Sequence, residues 1–184
     1  MKTPLALHTP SYRLNAWLFL GFLWLAISLG ASLPYRYPIH FGLTGTPDAW
    51  AEGPGMWVLL VAICAISVGQ LHLFQRFLVV DPDSSFLNMP HKKLFMKLPR
   101  QRRLVVVRRA NRLLGLVNTG MLLTYSAVLL LIWSSARNPG GTGAQVANFL
   151  FLTVVVGVVV IPLVEAWGLS RMVKRKLREE GLLE

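Results

Sequence analysis

The side chains best suited to chemistry lie in one polar stretch, residues 34–55, between two long apolar runs. His40 and Asp48 stand eight positions apart there, and Glu52 adds a carboxylate. A carboxylate beside an imidazole fixes the tautomer of the ring, so the pair could form a proton-responsive latch or begin a metal site. A catalytic zinc needs about three protein ligands. We therefore predict a structural His–Asp pair, no metal and no other cofactor.

Turn residues surround this pair and predict its local structure. Thr46, Pro47 and Asp48 have the order of a helix start, with a capping Thr, a Pro at the first position and an acid in the first turn. We predict a short helix that ends near Glu52, preceded by a turn at Gly45. The alternative is a binding site, whose members would be Pro38, His40, Phe41, Gly45, Pro47, Asp48 and Trp50.

Four further polar side chains lie inside the apolar runs, where they are costly in lipid. Such groups usually face the interior of a helix bundle and find partners there. We expect one cluster, with Glu165 paired to His72 or to Arg112. Polar contacts between helices and a proton or ligand site open to the cytoplasm both fit this pattern. The members are Gln70, His72, Asn118 and Glu165.

Four apolar runs must position these residues, namely 15–33, 56–79, 113–133 and 148–169. Each has about the 20 residues that an α-helix needs to cross a bilayer, and none alternates as a barrel strand would. A hydrophobic fraction of 54% with 15% charged residues is typical of a small polytopic membrane protein. We predict an all-α membrane protein with four transmembrane helices in a single domain, residues 1–184.

The distribution of Lys and Arg predicts the orientation of these helices. Residues 76–112 hold 10 of them, whereas the loops after the first and third runs hold only Arg36 and Arg137. The positive-inside rule then puts both termini and the basic connection, residues 80–112, in the cytoplasm and the 34–55 loop outside. The basic residues before the first run also fit a signal peptide, but the run exceeds a usual signal core, so we predict an uncleaved helix.

A net charge of +11 raises the question of a nucleic-acid partner. The basic connection contains no nucleic-acid reading motif and adjoins apolar runs. We therefore predict contact with anionic lipid headgroups at the inner face and no nucleic acid. Pro99 suits a first helical turn because it has no N–H to lose. The third transmembrane helix is thus expected to begin there, with a basic extension.

Uncharged residues within the runs are expected to serve packing. The single cysteine, Cys64, is predicted to be a small buried residue, and Trp24 to pack in mid-helix. Small residues let helices approach closely. We expect such approaches at Gly115, Gly120 and Gly157.

Two motifs carry a family resemblance. The first is a Pro, then Pro-Ile, His and Gly-x-Pro-Asp-x-Trp; the second is Asn-x-Pro followed by aromatic and basic residues. Together they resemble the bacterial membrane family catalogued as domain of unknown function sixteen forty-eight. Gly42 stands where Asn is common, and Leu94-Phe95 replaces the more usual Tyr-Trp. The first motif is carried by Leu33, Pro34, Pro38, Ile39, His40, Phe41, Gly45, Pro47, Asp48 and Trp50, and the second by Asn88, Pro90, Phe95, Pro99, Arg102 and Arg103.

The resemblance implies a bacterial cytoplasmic (inner) membrane but no activity. Some members form the N-terminal part of SdpI-type immunity proteins, which protect against a secreted toxin and bind a repressor. We expect immunity- or signalling-like recognition of a ligand, peptide or protein partner through the 34–55 loop. The alternative is a small proton-coupled transporter using Glu165 and His72. We do not predict an enzyme, because a nucleophile, a base or a full metal set cannot be assembled.

Overall fold

The computed structural model of the chain describes residues 10–42, 45–77, 79, 81–84 and 91–183. A first helix is followed by a β-hairpin and four more helices. In chain order these are α1 (Pro10–Gly30), β1 (Arg36–Phe41), β2 (Pro47–Glu52), α2 (Gly55–Phe77), α3 (Lys92–Phe95), α4 (Arg100–Arg137) and α5 (Thr142–Glu179).

Four of these helices, α1, α2, α4 and α5, are long and apolar enough to cross a membrane. By length and composition, the prediction of four spanning helices is confirmed. α4 and α5 each have 38 residues, or about 57 Å of helix, against a hydrocarbon core of about 30 Å. The excess is basic, with Arg100 to Arg112 at the start of α4 and Arg171 to Arg178 near the end of α5. The predicted basic extension of the third spanning helix is therefore confirmed.

The stretch between α1 and α2 folds as a hairpin, and the short helix predicted after Thr46 is wrong. β1 and β2 pair antiparallel, with Pro38 opposite Trp50 and His40 opposite Ala49, so the register is irregular between Pro38 and His40. A helix of six residues is marginal by itself, whereas a strand gains a bonding partner across the turn. Pro47 is tolerated because it is the first residue of its strand.

The turn predicted at Gly45 is present, although it joins two strands instead of preceding a helix. Gly45 has φ +78, a backbone conformation that favours glycine. Its N–H donates to the Gly42 carbonyl at 2.9 Å, and the Gly42 N–H donates to the Thr46 carbonyl at 2.9 Å. A Cβ at Gly45 would also lie 2.5 Å from the Asn148 amide nitrogen. Glycine is therefore required at residue 45 for conformation and for space.

The residues group into two compact units, each with its own core. The hairpin unit comprises Ala16–Val68 and Thr119–Val158. The basic unit comprises Met1–Asn15, Gly69–Asn118 and Val159–Glu184. Each spanning helix contributes a segment to each unit.

The core of the hairpin unit is formed by apolar residues of α1, α2 and α4 together with Tyr37 and Ala51 of the two strands. Phe22, Leu122 and Leu129 are among its most buried members. Cys64 is buried with them, as predicted. Trp24, by contrast, is 71% exposed, so its predicted packing role is wrong. A spanning helix with few protein neighbours leaves much of its apolar surface to lipid, which is as apolar as another helix.

Close approach at glycine is confirmed at two of the three predicted positions. A Cβ at Gly120 would lie 2.7 Å from a Val158 methyl group in the hairpin unit. In the basic unit, a Cβ at Gly115 would collide with the Ser11 hydroxyl and lie 2.8 Å from the Gln75 amide nitrogen. A Cβ at Gly157 would meet nothing within 4 Å. The first two glycines are therefore spacers, and Gly157 is not.

The core of the basic unit lies at the charged ends of α4 and α5. Phe95 of α3 and Leu98 pack with Val106 of α4 and with Val173 and Leu177 of α5. The single-turn helix α3 follows His91, whose φ is 56. Apolar side chains here recur every three or four residues, so each helix keeps one apolar stripe beneath its cations.

Candidate functional site

The hairpin is held from beneath by two buried aromatic rings. Tyr37 donates its hydroxyl hydrogen to the Gly53 carbonyl at 3.1 Å and accepts the Trp57 backbone N–H at 2.8 Å. The Trp57 indole N–H donates to the Ala26 carbonyl of α1 at 3.1 Å. Gly30 makes room for the indole, since a Cβ there would lie 2.5 Å from its nitrogen. These bonds fix the hairpin to both flanking helices.

Trp57 is a structural anchor of the hairpin that sequence reasoning missed. Trp57 stands at the start of an apolar run, and its ring is buried. It packs edge-to-face against Tyr37, with ring centroids 6.4 Å apart. The sequence signal for this contact is the presence of two aromatic residues, Tyr37 and Trp57, on either side of the Gly53-Pro54-Gly55 turn.

The predicted pair of His40 and Asp48 is confirmed. His40 Nδ1 lies 2.5 Å from Asp48 Oδ1 across the two strands, and the side chains are 70% and 50% exposed. A carboxylate that is ionised only accepts hydrogen bonds, so beside such a group Nδ1 is the donor of the pair. The pair therefore orients an imidazole at the surface, where it contributes little to packing.

The other residues of the predicted binding set all lie in this hairpin or its turn. Trp50 faces Pro38 across the strands, and Pro47 faces Phe41. The guanidinium carbon of Arg36 lies 5.4 Å from the centre of the Trp50 ring. Tyr35, which was not in the predicted set, is 73% exposed just before β1. The hairpin thus presents rings, a guanidinium and the His–Asp pair together.

A small pocket of about 210 Å³ lies at the base of the hairpin. This volume is below the roughly 300–1,000 Å³ of small-molecule sites, and it suits a single side chain. Neither His40 nor Asp48 lines it. Its walls are Gly30, Leu33, Pro34, Tyr35, Tyr37, Gly53, Pro54 and Trp57.

The four polar residues predicted inside the membrane are not joined by hydrogen bonds or ion pairs among the described residues. The His72 ring stacks on Tyr12, with centroids 4.0 Å apart. Gln70 is exposed on α2. Asn118 is fully buried, and neither of its amide atoms has a hydrogen-bond partner in the part of the chain that the structure describes.

Glu165 pairs with Arg109, so its predicted pairing with His72 or Arg112 is wrong. Arg109 Nη2 lies 3.2 Å from Glu165 Oε2. Gly168 allows this contact, because a Cβ there would lie 2.7 Å from the same Arg109 nitrogen. The glycine one turn along α5 therefore leaves room for this guanidinium.

The basic unit also contains a buried amide network that was not predicted from the sequence. Asn111 donates from its side chain to the carbonyls of Gln75 and Val79, at 2.7 and 2.8 Å. Gln75 donates in return to Asn111 Oδ1 at 3.3 Å, and Asn15 donates to the Gly115 carbonyl at 2.8 Å. The spacing of residues 111, 115 and 118, which puts them on one helix face, was the usable signal.

Where the structure describes it, the second motif pairs the start of α4 with the end of α5 and with Asp83; Asn88 and Pro90 lie outside the described residues. Arg102 pairs with Glu179 at 3.0 Å and with Glu180 at 2.8 Å. Arg103 pairs with Asp83 at 2.5 Å. The hydrogen bond from Lys176, together with nearby guanidinium groups, lowers the pKa of the Glu179 carboxyl below its ordinary value.

Metal ligands do not converge within the described residues. No group of three or more His, Cys, Asp or Glu side chains there could hold an ion. Around His40, the described side chains offer hydrogen bonding through the pair with Asp48.

Four helices that are long and apolar enough to cross a membrane define the class: a multi-pass membrane protein. Residues 17–64 match the family model described as a domain of unknown function (DUF1648). The predicted resemblance to this family is therefore confirmed over these residues. The match covers most of α1, the whole hairpin and α2 as far as Cys64. Neither curated proteins nor solved structures yield a match.

Proposed function

We propose that this protein recognises an extended peptide, or a protein segment of that form, through the hairpin on the outer face of a bacterial cytoplasmic membrane. One observation carries the proposal: the hairpin is anchored by buried rings while its hydrogen-bonding pair, His40 and Asp48, stays exposed. Polar groups oriented at a surface and unused in packing are suited to binding a partner.

The backbone supports a peptide as the partner. Among the described residues, the sheet has two strands and no third. Each strand therefore has an outer edge to which an extended chain can add. The pocket at the hairpin base would take one side chain of that peptide, and the Arg36–Trp50 pair would contact another.

Recognition of a secreted peptide would give the protein an immunity- or signalling-like role, in which the basic unit docks a cytoplasmic partner. Proton-coupled transport through Glu165 and His72 is the alternative. It has less support, because no hydrogen bond or ion pair joins Glu165 to His72 among the described residues. Glu165 is paired with Arg109, and the His72 ring stacks on Tyr12.

Site-specific photo-crosslinking in intact cells tests the proposal. A photo-reactive residue replaces Tyr35 on the hairpin or, as the control, Val146, which is exposed on α5 in the same unit. We expect a peptide or protein adduct from residue 35 that is lost in His40→Ala and absent from residue 146. Adducts with lipid alone, or adducts unchanged by His40→Ala, would contradict recognition. Solute flux that is abolished by Glu165→Gln would instead favour transport.

A further inference from the structure

A groove in the basic unit lies between α4 and α5 and has the dimensions of a ligand site. Its volume is about 480 Å³, within the roughly 300–1,000 Å³ of pockets that hold small ligands. One wall is apolar, formed by Val164 and Met172. The polar residues of this α4–α5 groove are Arg109, Glu165, Trp167, Arg171 and Arg175.

Arg171 is the residue in the groove best placed to bind an anion. Its guanidinium carbon lies 3.5 Å from the centre of the Trp167 ring. Stacking uses the face of the guanidinium and leaves the N–H groups at its edge available, in the fork geometry that matches phosphate oxygens. No carboxylate pairs with Arg171 among the described residues, so its charge is not neutralised by the protein there.

The carboxylate in the groove is already compensated. Glu165 is paired with Arg109 at 3.2 Å, so it does not oppose an anion with its full charge. Arg175 lies 3.6 Å from Glu179, a weak exposed pair. The groove therefore keeps a positive balance, most of it at Arg171.

The groove lies where the apolar run of α5 ends. Apolar residues continue to Leu169, and cations begin at Arg171. On α4, Arg109 and Arg112 immediately precede the apolar run that starts at Leu113. Tryptophan and arginine at such a boundary are typical of the headgroup region of a bilayer.

We propose that the α4–α5 groove binds the phosphate group of an anionic phospholipid, with Arg171 as its principal ligand and the apolar wall against the lipid glycerol and upper chain. Trp167 holds the guanidinium in place. Arg109 neutralises Glu165 so that the phosphate can enter. This site is independent of any partner at the hairpin.

Native mass spectrometry of the full chain in detergent tests the proposal, with phosphatidylglycerol or phosphatidylcholine added and with inorganic phosphate as competitor. Arg171→Gln is compared with Arg108→Gln, which removes the same charge from an exposed position on α4 outside the groove. We expect phosphatidylglycerol to bind in preference to phosphatidylcholine. Arg171→Gln should weaken that binding by roughly tenfold, as for the loss of one charge-assisted contact. Arg108→Gln should leave it unchanged.

Three outcomes would overturn the site. Equal effects of Arg171→Gln and Arg108→Gln would show a diffuse attraction of lipid to the basic unit. Equal binding of the two lipids would remove the requirement for an anionic headgroup. Displacement of the lipid by inorganic phosphate at matched concentration would show that a soluble phosphate is the ligand. A thermal melt of each variant establishes that Arg171→Gln is folded.

Discussion

The two units of the protein use opposite means to hold their segments in place. In the hairpin unit, aromatic rings are buried and their few polar atoms bond to backbone carbonyls, as at Trp57. In the basic unit, side-chain amides and ion pairs join the helices, as at Asn111 and Arg102. The hairpin unit can therefore expose its polar pair without losing its core. In the basic unit, most carboxylates are instead paired with arginines near the helix ends.

The largest effect is expected from removing the ring that anchors the hairpin. Trp57→Ala deletes a buried indole and its bond to Ala26, and large-to-small changes of this kind cost about 3–5 kcal/mol. Trp24→Ala, which removes an exposed indole from α1, should cost below about 0.5 kcal/mol. Chemical unfolding in detergent measures both. Equal losses would mean that Trp57 is not a special anchor.

A smaller effect is expected where helices touch at glycine. Gly120→Ala puts a methyl group against Val158 and should cost about 1–3 kcal/mol through overpacking. Gly157→Ala meets nothing within 4 Å and should be neutral or slightly stabilising, since Ala favours helix. Thermal melts of the two variants compare them directly. A stable Gly120→Ala together with a weakened Gly157→Ala would reverse the assignment of the spacer.

A change in the amide network of the basic unit should lower the free energy of unfolding by somewhat less. Gln75→Ala leaves Asn111 without its side-chain partner in a buried site, and we expect a cost of about 0.6–2 kcal/mol. Gln70→Ala, which changes an exposed amide on the same helix, is the control and should fall within about 0.5 kcal/mol. Hydrogen exchange at the start of α4 provides the local readout. No difference between the variants would show that the network is not stabilising.

The smallest effect is expected from Glu179 and should depend on pH. Because its pKa is lowered in the folded protein, its contribution to stability is present above the ordinary value of 4.5 and is lost as the pH falls through the lowered value. The melting temperatures of the wild type and Glu179→Gln should therefore differ slightly at pH 7 and converge below pH 4.5. Added salt should reduce the difference at pH 7. A gap that widens with acid would contradict this linkage.

The spanning helices were predictable because about 20 apolar residues in succession leave few alternatives in water or in lipid. The hairpin was not. At Thr46 and Pro47 the local pattern favours a helix, but pairing with β1 is stronger than the propensity of six residues. Segments this short are decided by their partners in space.

Side-chain pairing was predictable only in part. His40 and Asp48 lie close in sequence, so a turn between them sufficed to bring them together. Glu165 pairs with Arg109, whose guanidinium occupies the space left by Gly168, and sequence spacing does not report such a space. The amides of Gln75 and Asn111 stand near the charged ends of their helices, where a polar side chain need not lie in lipid. Their burial was therefore not predictable from hydropathy.

The indole of Trp57 reaches α1 through the Ala26 carbonyl, while its backbone N–H reaches the hairpin through Tyr37. Within the hairpin unit, one residue at the first turn of α2 thus ties three segments of chain into a single mechanical body. A load applied at the strands is consequently shared by two spanning helices at once, and neither can slide along its axis without breaking a bond to this ring.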